Sequence, residues 1–93
     1  LGAFYDRLER AVQQMVWINA PRKTQAMAVL AARAEANLIM ARLAERDPTS
    51  VGLSLALASM ARGDAAFAAR QPVTAVHKYW LAWRNALTYG GPG

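Results

Sequence analysis

Apolar residues recur along this chain every three or four positions, the spacing of helices with one buried side. In the first stretch Phe4, Leu8, Ala11, Val12 and Met15 form a stripe, with Asp6, Glu9, Arg10 and Gln13 on the other side. Trp17 falls about half a turn off that stripe, so it either folds over the following turn as a lid or meets another chain. The second stretch, Thr24 to Glu45, carries two stripes: Met27, Leu30, Ala34, Leu38 and Ala41, and separately Val29, Ala36, Ile39, Met40 and Leu43. Its strongly polar strip is narrow, Glu35, Arg42 and Arg46, with Arg33 apart. A helix apolar nearly all round needs cover on most sides, so it is either central or shielded by a partner subunit. The residues expected at such a partner interface are Trp17, Val29, Ile39, Met40 and Leu43.

The third stretch opens at Pro48-Thr49-Ser50, where Thr49 or Ser50 is suited to cap, and sets Leu53, Ala56, Leu57, Met60 and Phe67 on one face. Gly63 lies inside it. A mid-helix glycine costs about 1 kcal/mol against alanine, which implies a helix passing close by, with Ala75 or Ala82 as the facing small residue. In the fourth stretch Pro72 suits the first turn, and Val76, Tyr79, Trp80, Trp83 and Leu87 share one broad face opposite Lys78, Leu81, Arg84 and Asn85. Breakers at Asn19-Ala20-Pro21, Asp47-Pro48-Thr49-Ser50, Arg70-Gln71-Pro72 and Gly90-Gly91-Pro92-Gly93 delimit helices near 3–19, 23–46, 50–69 and 72–88. Short links favour antiparallel neighbours. The predicted fold is therefore all-α, a four-helix antiparallel bundle of two α-hairpins, with residues 1–89 as one domain and 90–93 as a flexible end.

Composition agrees with this division and narrows the function. Alanine supplies 21 of the 93 residues, a strongly helical bias. Cysteine is absent, which removes disulfides, thiolate metal sites and cysteine nucleophiles. The longest uncharged run, Pro48 to Ala61, is shorter than the roughly 18–20 residues a membrane span needs. Leu1 stands where a Met is usual and no basic-then-apolar leader follows, the pattern of a processed or excised chain. The formal charge is +5, and no carboxylate follows Asp64. Such an excess gives weak attraction for acidic polymers.

Groups that could do chemistry are few. One histidine and six carboxylates spread over three helices offer neither an acid–base constellation nor three or four metal ligands, so no catalytic, cofactor or metal site is expected. His77, beside Lys78 and with no carboxylate close in sequence, reads as an exposed edge residue. Asp64 falls between Leu57 and Phe67 on the apolar side, where a carboxylate needs a partner. His77 and Arg84 are the expected partners. Arg62-Gly63-Asp64 spells an adhesive tripeptide but lies within a helical pattern, not on a loop. Tyr79, Trp80 and Trp83 read as core first; Arg70, Lys78, Arg84 and Trp80 are the residues of an alternative site for an acidic polymer such as nucleic acid or an acidic glycan.

Gly63, Ala75, Tyr79 and Ala82 follow the small, small, aromatic, small order of a tetratricopeptide hairpin, and residues ~56–87 resemble that motif. Arg70-Gln71-Pro72 departs from its usual turn, and no second copy follows at a period of about 34 residues. The resemblance implies a protein-binding role. More loosely, the segment Gly63 to Trp83 with the Ala-rich helix before it is similar to small accessory modules at the carboxyl ends of bacterial secreted or surface proteins. That likeness implies an extracellular setting and a part in spacing or attachment. The expected function is a non-catalytic interaction or assembly module that docks a protein partner or a second copy.

Overall fold

Helix formers interrupted by three proline-containing breakers give four α-helices in the computed structural model, which describes residues 2–89. They are α1 (Gly2–Trp17), α2 (Arg22–Arg46), α3 (Val51–Ala68) and α4 (Pro72–Tyr89). No strand occurs among the described residues. All the helix limits fall within two residues of those predicted. The Gly/Pro end expected at 90–93 lies outside the described residues.

Two of the three turns are built alike. Asn19 and Arg70 adopt φ of 55° and 61°. The Asn19 and Ala20 amides donate to the carbonyls of Val16 and Met15, and those of Arg70 and Gln71 to Phe67 and Ala66. This pair of bonds closes a helix by a left-handed residue, and the proline that follows each has no N–H with which to extend it. The α2–α3 turn differs. Ser50 caps α3 there, its hydroxyl accepting the Gly52 amide at 3.1 Å and donating to the Tyr89 carbonyl at 3.4 Å. The start of α3 is thereby fastened to the end of α4.

Helices α2 and α4 are the two central elements, each packed against all three others; α4 packs most extensively against α3 and next against α2, whereas α1 and α3 make no contact among the described residues. With extents of 43 × 24 × 14 Å the domain is a flattened slab, α2 and α4 in the middle and α1 and α3 at the edges. Alanines make this possible: Ala32, Ala36, Ala56, Ala75, Ala82 and Ala86 are buried and let the backbones come close. Large rings fill what the alanines leave. Tyr79 is fully buried, Tyr5 is 2% exposed, and the Tyr5 and Trp83 rings lie 5.4 Å apart.

The close approach expected at Gly63 is present, but its partner is an aromatic ring and not Ala75 or Ala82. A Cβ on Gly63 would stand 2.5 Å from Tyr79 Cε1 and 2.7 Å from Cδ1. The face expected for α3 is only partly inside, since Leu57 is exposed while Ala56, Met60 and Ala66 are buried. In α1 the expected stripe holds at Leu8, Ala11, Val12 and Met15, but Tyr5 takes the inner place expected of Phe4. Tyr5 and Val12 are its buried members, and Phe4 lies at the surface.

Candidate functional site

Three helices converge on one polar cluster. Arg33 of α2 donates from Nε to Asp64 Oδ1 at 2.9 Å and from a terminal nitrogen to Oδ2 at 3.3 Å, and the Tyr79 hydroxyl of α4 donates to Oδ1 at 2.5 Å. The Arg33 hydrogen bond first, and the Tyr79 hydroxyl second, hold the Asp64 carboxyl below its ordinary pKa. Burial, and then the bond to Asp64, push the Tyr79 phenol up. Asp64 has a partner, but neither His77 nor Arg84 supplies it, and the carboxylate is not on the buried side as expected: its side chain is 46% exposed, because α3 turns this face, Leu57 included, toward solvent. Two Arg33 nitrogens and the Tyr79 hydroxyl all converge on Asp64, the arrangement of a structural tie.

His77 has the carboxylate that sequence proximity hides. Its Nδ1 lies 3.6 Å from Glu9 Oε1 of α1, across a groove of about 430 Å³ lined also by Tyr5, Asp6, Val76 and Trp80. The His77 and Trp80 rings are 5.5 Å apart, and the Arg84 guanidinium lies 5.4 Å over Trp80. His77, Trp80 and Arg84 therefore form a ladder along one edge of α4. Half-exposed pairs of this kind contribute about 0–1 kcal/mol. His77→Ala is expected to leave the melting temperature within a few degrees of the parent, about 0.5 kcal/mol or less, as a thermal melt followed by circular dichroism will show.

The four residues of the acidic-polymer reading do not share a face. Arg84 stacks on Trp80. Lys78 leaves α4 about 200° round the axis from Trp80, by the helical repeat. Arg70 lies in the α3–α4 turn, before α4 begins. Among the described residues no group of three or more His, Cys, Asp or Glu could hold a metal ion, and no helix is long and apolar enough to cross a membrane.

The apolar surface lies elsewhere than the sequence suggests. Val29, Met40 and Leu43, expected at a partner interface, are buried in this chain's own core, and Ile39 packs against that core half-buried. The physical reason is that α2 lies beside α4 and needs only one stripe for it. The other stripe is the free one: Met27, Leu30 and Leu38 are 66%, 49% and 46% exposed, and Ala34 and Ala41 are exposed with them. Of the residues expected at a partner interface, Trp17 does sit outside. At 92% exposure it is no lid, and Val16 and Ile18 beside it are exposed as well.

Among the described residues one buried side-chain polar atom has no partner, Nε1 of Trp83. Indole at this position is held by ring contacts with Tyr5, whose hydroxyl instead donates to the Ala32 carbonyl at 3.1 Å. Tyr5 was missed by sequence reasoning, because it neighbours Phe4 and the stripe fits either residue. Comparison with protein-family models, with curated proteins and with solved structures gives no match.

Proposed function

We propose that the chain is a non-catalytic interaction module, an antiparallel bundle of two α-hairpins with the second tetratricopeptide-like, that docks a protein partner or a second copy of itself. The observation that carries this reading is the uncovered stripe of α2. Met27, Leu30, Ala34, Leu38 and Ala41 follow one another at intervals of three and four residues with no charge among them. Large side chains alternating with alanine suit a second helix lying close along the first. Contiguous apolar surface of this kind is uncommon on a chain that stays alone in water. The likeness to bacterial accessory modules supplies the setting of the proposal, a spacing or attachment unit outside the cell.

Light scattering across a concentration series tests the self-association form. The parent is expected to exceed its monomer mass of 10.1 kDa as concentration rises, and Leu30→Glu and Leu38→Glu to remain monomeric with unchanged helicity. Both positions are exposed, so the substitutions leave the core intact. The acidic-polymer alternative draws on Arg84 stacked over Trp80. It has less support, because Glu9 and Asp6 line the same groove as Trp80. Steep weakening by salt marks the polymer reading, and apolar association lacks it.

A further inference from the structure

Both hairpin turns lie at one end of the domain, and that end joins apolar side chains to unpaired positive charge. Val16, Trp17 and Val73 line one groove there, which places the α1–α2 turn next to the start of α4. Trp17 and Ile18 project from it at 92% and 77% exposure. Around them stand Arg22 and Lys23 in the first turn of α2 and Arg70 in the α3–α4 turn, all exposed. None of the three forms an ion pair among the described residues. The sequence makes the sign of this end uniform, since residues 10–34 and 65–89 contain no Asp or Glu.

We propose that this end docks peripherally on an anionic lipid bilayer, with Trp17 and Ile18 entering the interfacial layer and Arg22, Lys23 and Arg70 meeting lipid phosphates. Indole favours the depth of the headgroups, where its ring is in apolar surroundings and its N–H is wet. A single apolar anchor gives only marginal, reversible attachment, and a basic cluster beside it supplies the second signal needed. This end carries both. Charge complementarity selects the lipid: cations without carboxylates favour anionic headgroups over zwitterionic ones. Ile18 argues against a nucleic acid as the occupant, because an aliphatic side chain at the tip offers a base nothing to stack on. The surface is separate from Leu30 and Leu38, so the proposal does not depend on docking through α2.

The experiment is co-sedimentation of the full chain with vesicles, with tryptophan emission read in parallel. Vesicles of phosphatidylcholine containing about one-third phosphatidylglycerol are expected to bind at least ~10-fold more tightly than phosphatidylcholine alone, with a blue shift and with weakening by salt. Trp17→Ala and, independently, Ile18→Ser should each lower that affinity about 10-fold and Trp17→Ala should abolish the shift. Arg22→Glu with Lys23→Glu should remove the preference for anionic vesicles. All these positions are exposed, and unchanged helicity will confirm that the variants fold. Equal binding to both vesicle types, or full binding by both Trp17→Ala and Ile18→Ser, overturns the proposal. So does retention of the chain by single-stranded DNA or by a second copy through Trp17 without any binding to vesicles.

Discussion

Gly63→Ala is expected to destabilise the fold by about 1–3 kcal/mol, a fall of roughly 5–20 °C in melting temperature for a domain of this size, although propensity alone favours the change by up to ~1 kcal/mol. The new methyl would stand 2.5 Å from Tyr79 Cε1 and 2.7 Å from Cδ1, distances that real carbon contacts do not reach. Relief requires the ring to move, and the ring is completely buried with its hydroxyl fixed on Asp64. Gly63→Leu must lose more than Gly63→Ala. Tyr79→Ala alone opens a cavity and costs about 3–5 kcal/mol, the range for truncating a buried aromatic. Because it also removes the obstruction, Gly63→Ala and Tyr79→Ala combined should cost less than the sum of the two. Melts of Gly63→Ala at or above the parent temperature would show that α3 and α4 are not in this contact.

Alkaline pH is the second strong lever. Tyr5 and Tyr79 are both buried, and burial is the first cause of each phenol's raised pKa, joined by the charge of Glu35 for Tyr5 and by the bond to Asp64 for Tyr79. A folded-state pKa above the unfolded one gives stability that is full below the unfolded value, about 10, and is lost as pH rises toward the folded value. Each tyrosine then contributes a slope of about 1.4 kcal/mol per pH unit, so two together steeply erode a domain of ordinary marginal stability. Denaturant melts between pH 9 and about 11.5 should show this fall. Tyr5→Phe should halve the slope while costing about 1 kcal/mol at neutral pH for the lost bond to the Ala32 carbonyl. Asp64 acts at the other limit. Its lowered pKa contributes stability present above about pH 4 and lost as pH falls through the folded value, and Asp64→Asn should flatten that acid limb.

Positions that speak through local spacing were readable from the chain. The prolines at 21, 48 and 72 place the turns, Ser50 caps as its type suggests, and Val12 and Val76 fall inside as their periodicity requires. Arg70 was not readable as a left-handed helix stop, because arginine carries no preference for positive φ; the two Schellman bonds and Pro72 impose it. Nor could periodicity choose between the two stripes of α2. Both have helical spacing, and only the side taken by α4 decides that Val29, Met40 and Leu43 are core while Met27, Leu30 and Leu38 face outward. The partners of Asp64 and His77 were hidden for a similar reason. Arg33 is 31 residues from Asp64, and Glu9 reaches His77 from the other hairpin, so no local pattern links them.

By itself, then, the sequence determined the local terms: four helices, where each stops, that Gly63 marks a close approach, and that two carboxylate-free stretches carry the positive charge. These follow from propensity, capping and spacing, which act within a few residues. Tertiary structure alone decided that α2 and α4 share the centre, which face of α2 is left uncovered, and that Tyr79 rather than an alanine fills the space over Gly63. It also decided that Trp17 and Val73, 56 positions apart in sequence, line one groove. Those outcomes depend on how ring and alanine volumes fit together across helices distant in sequence, and helical periodicity holds no record of that fit.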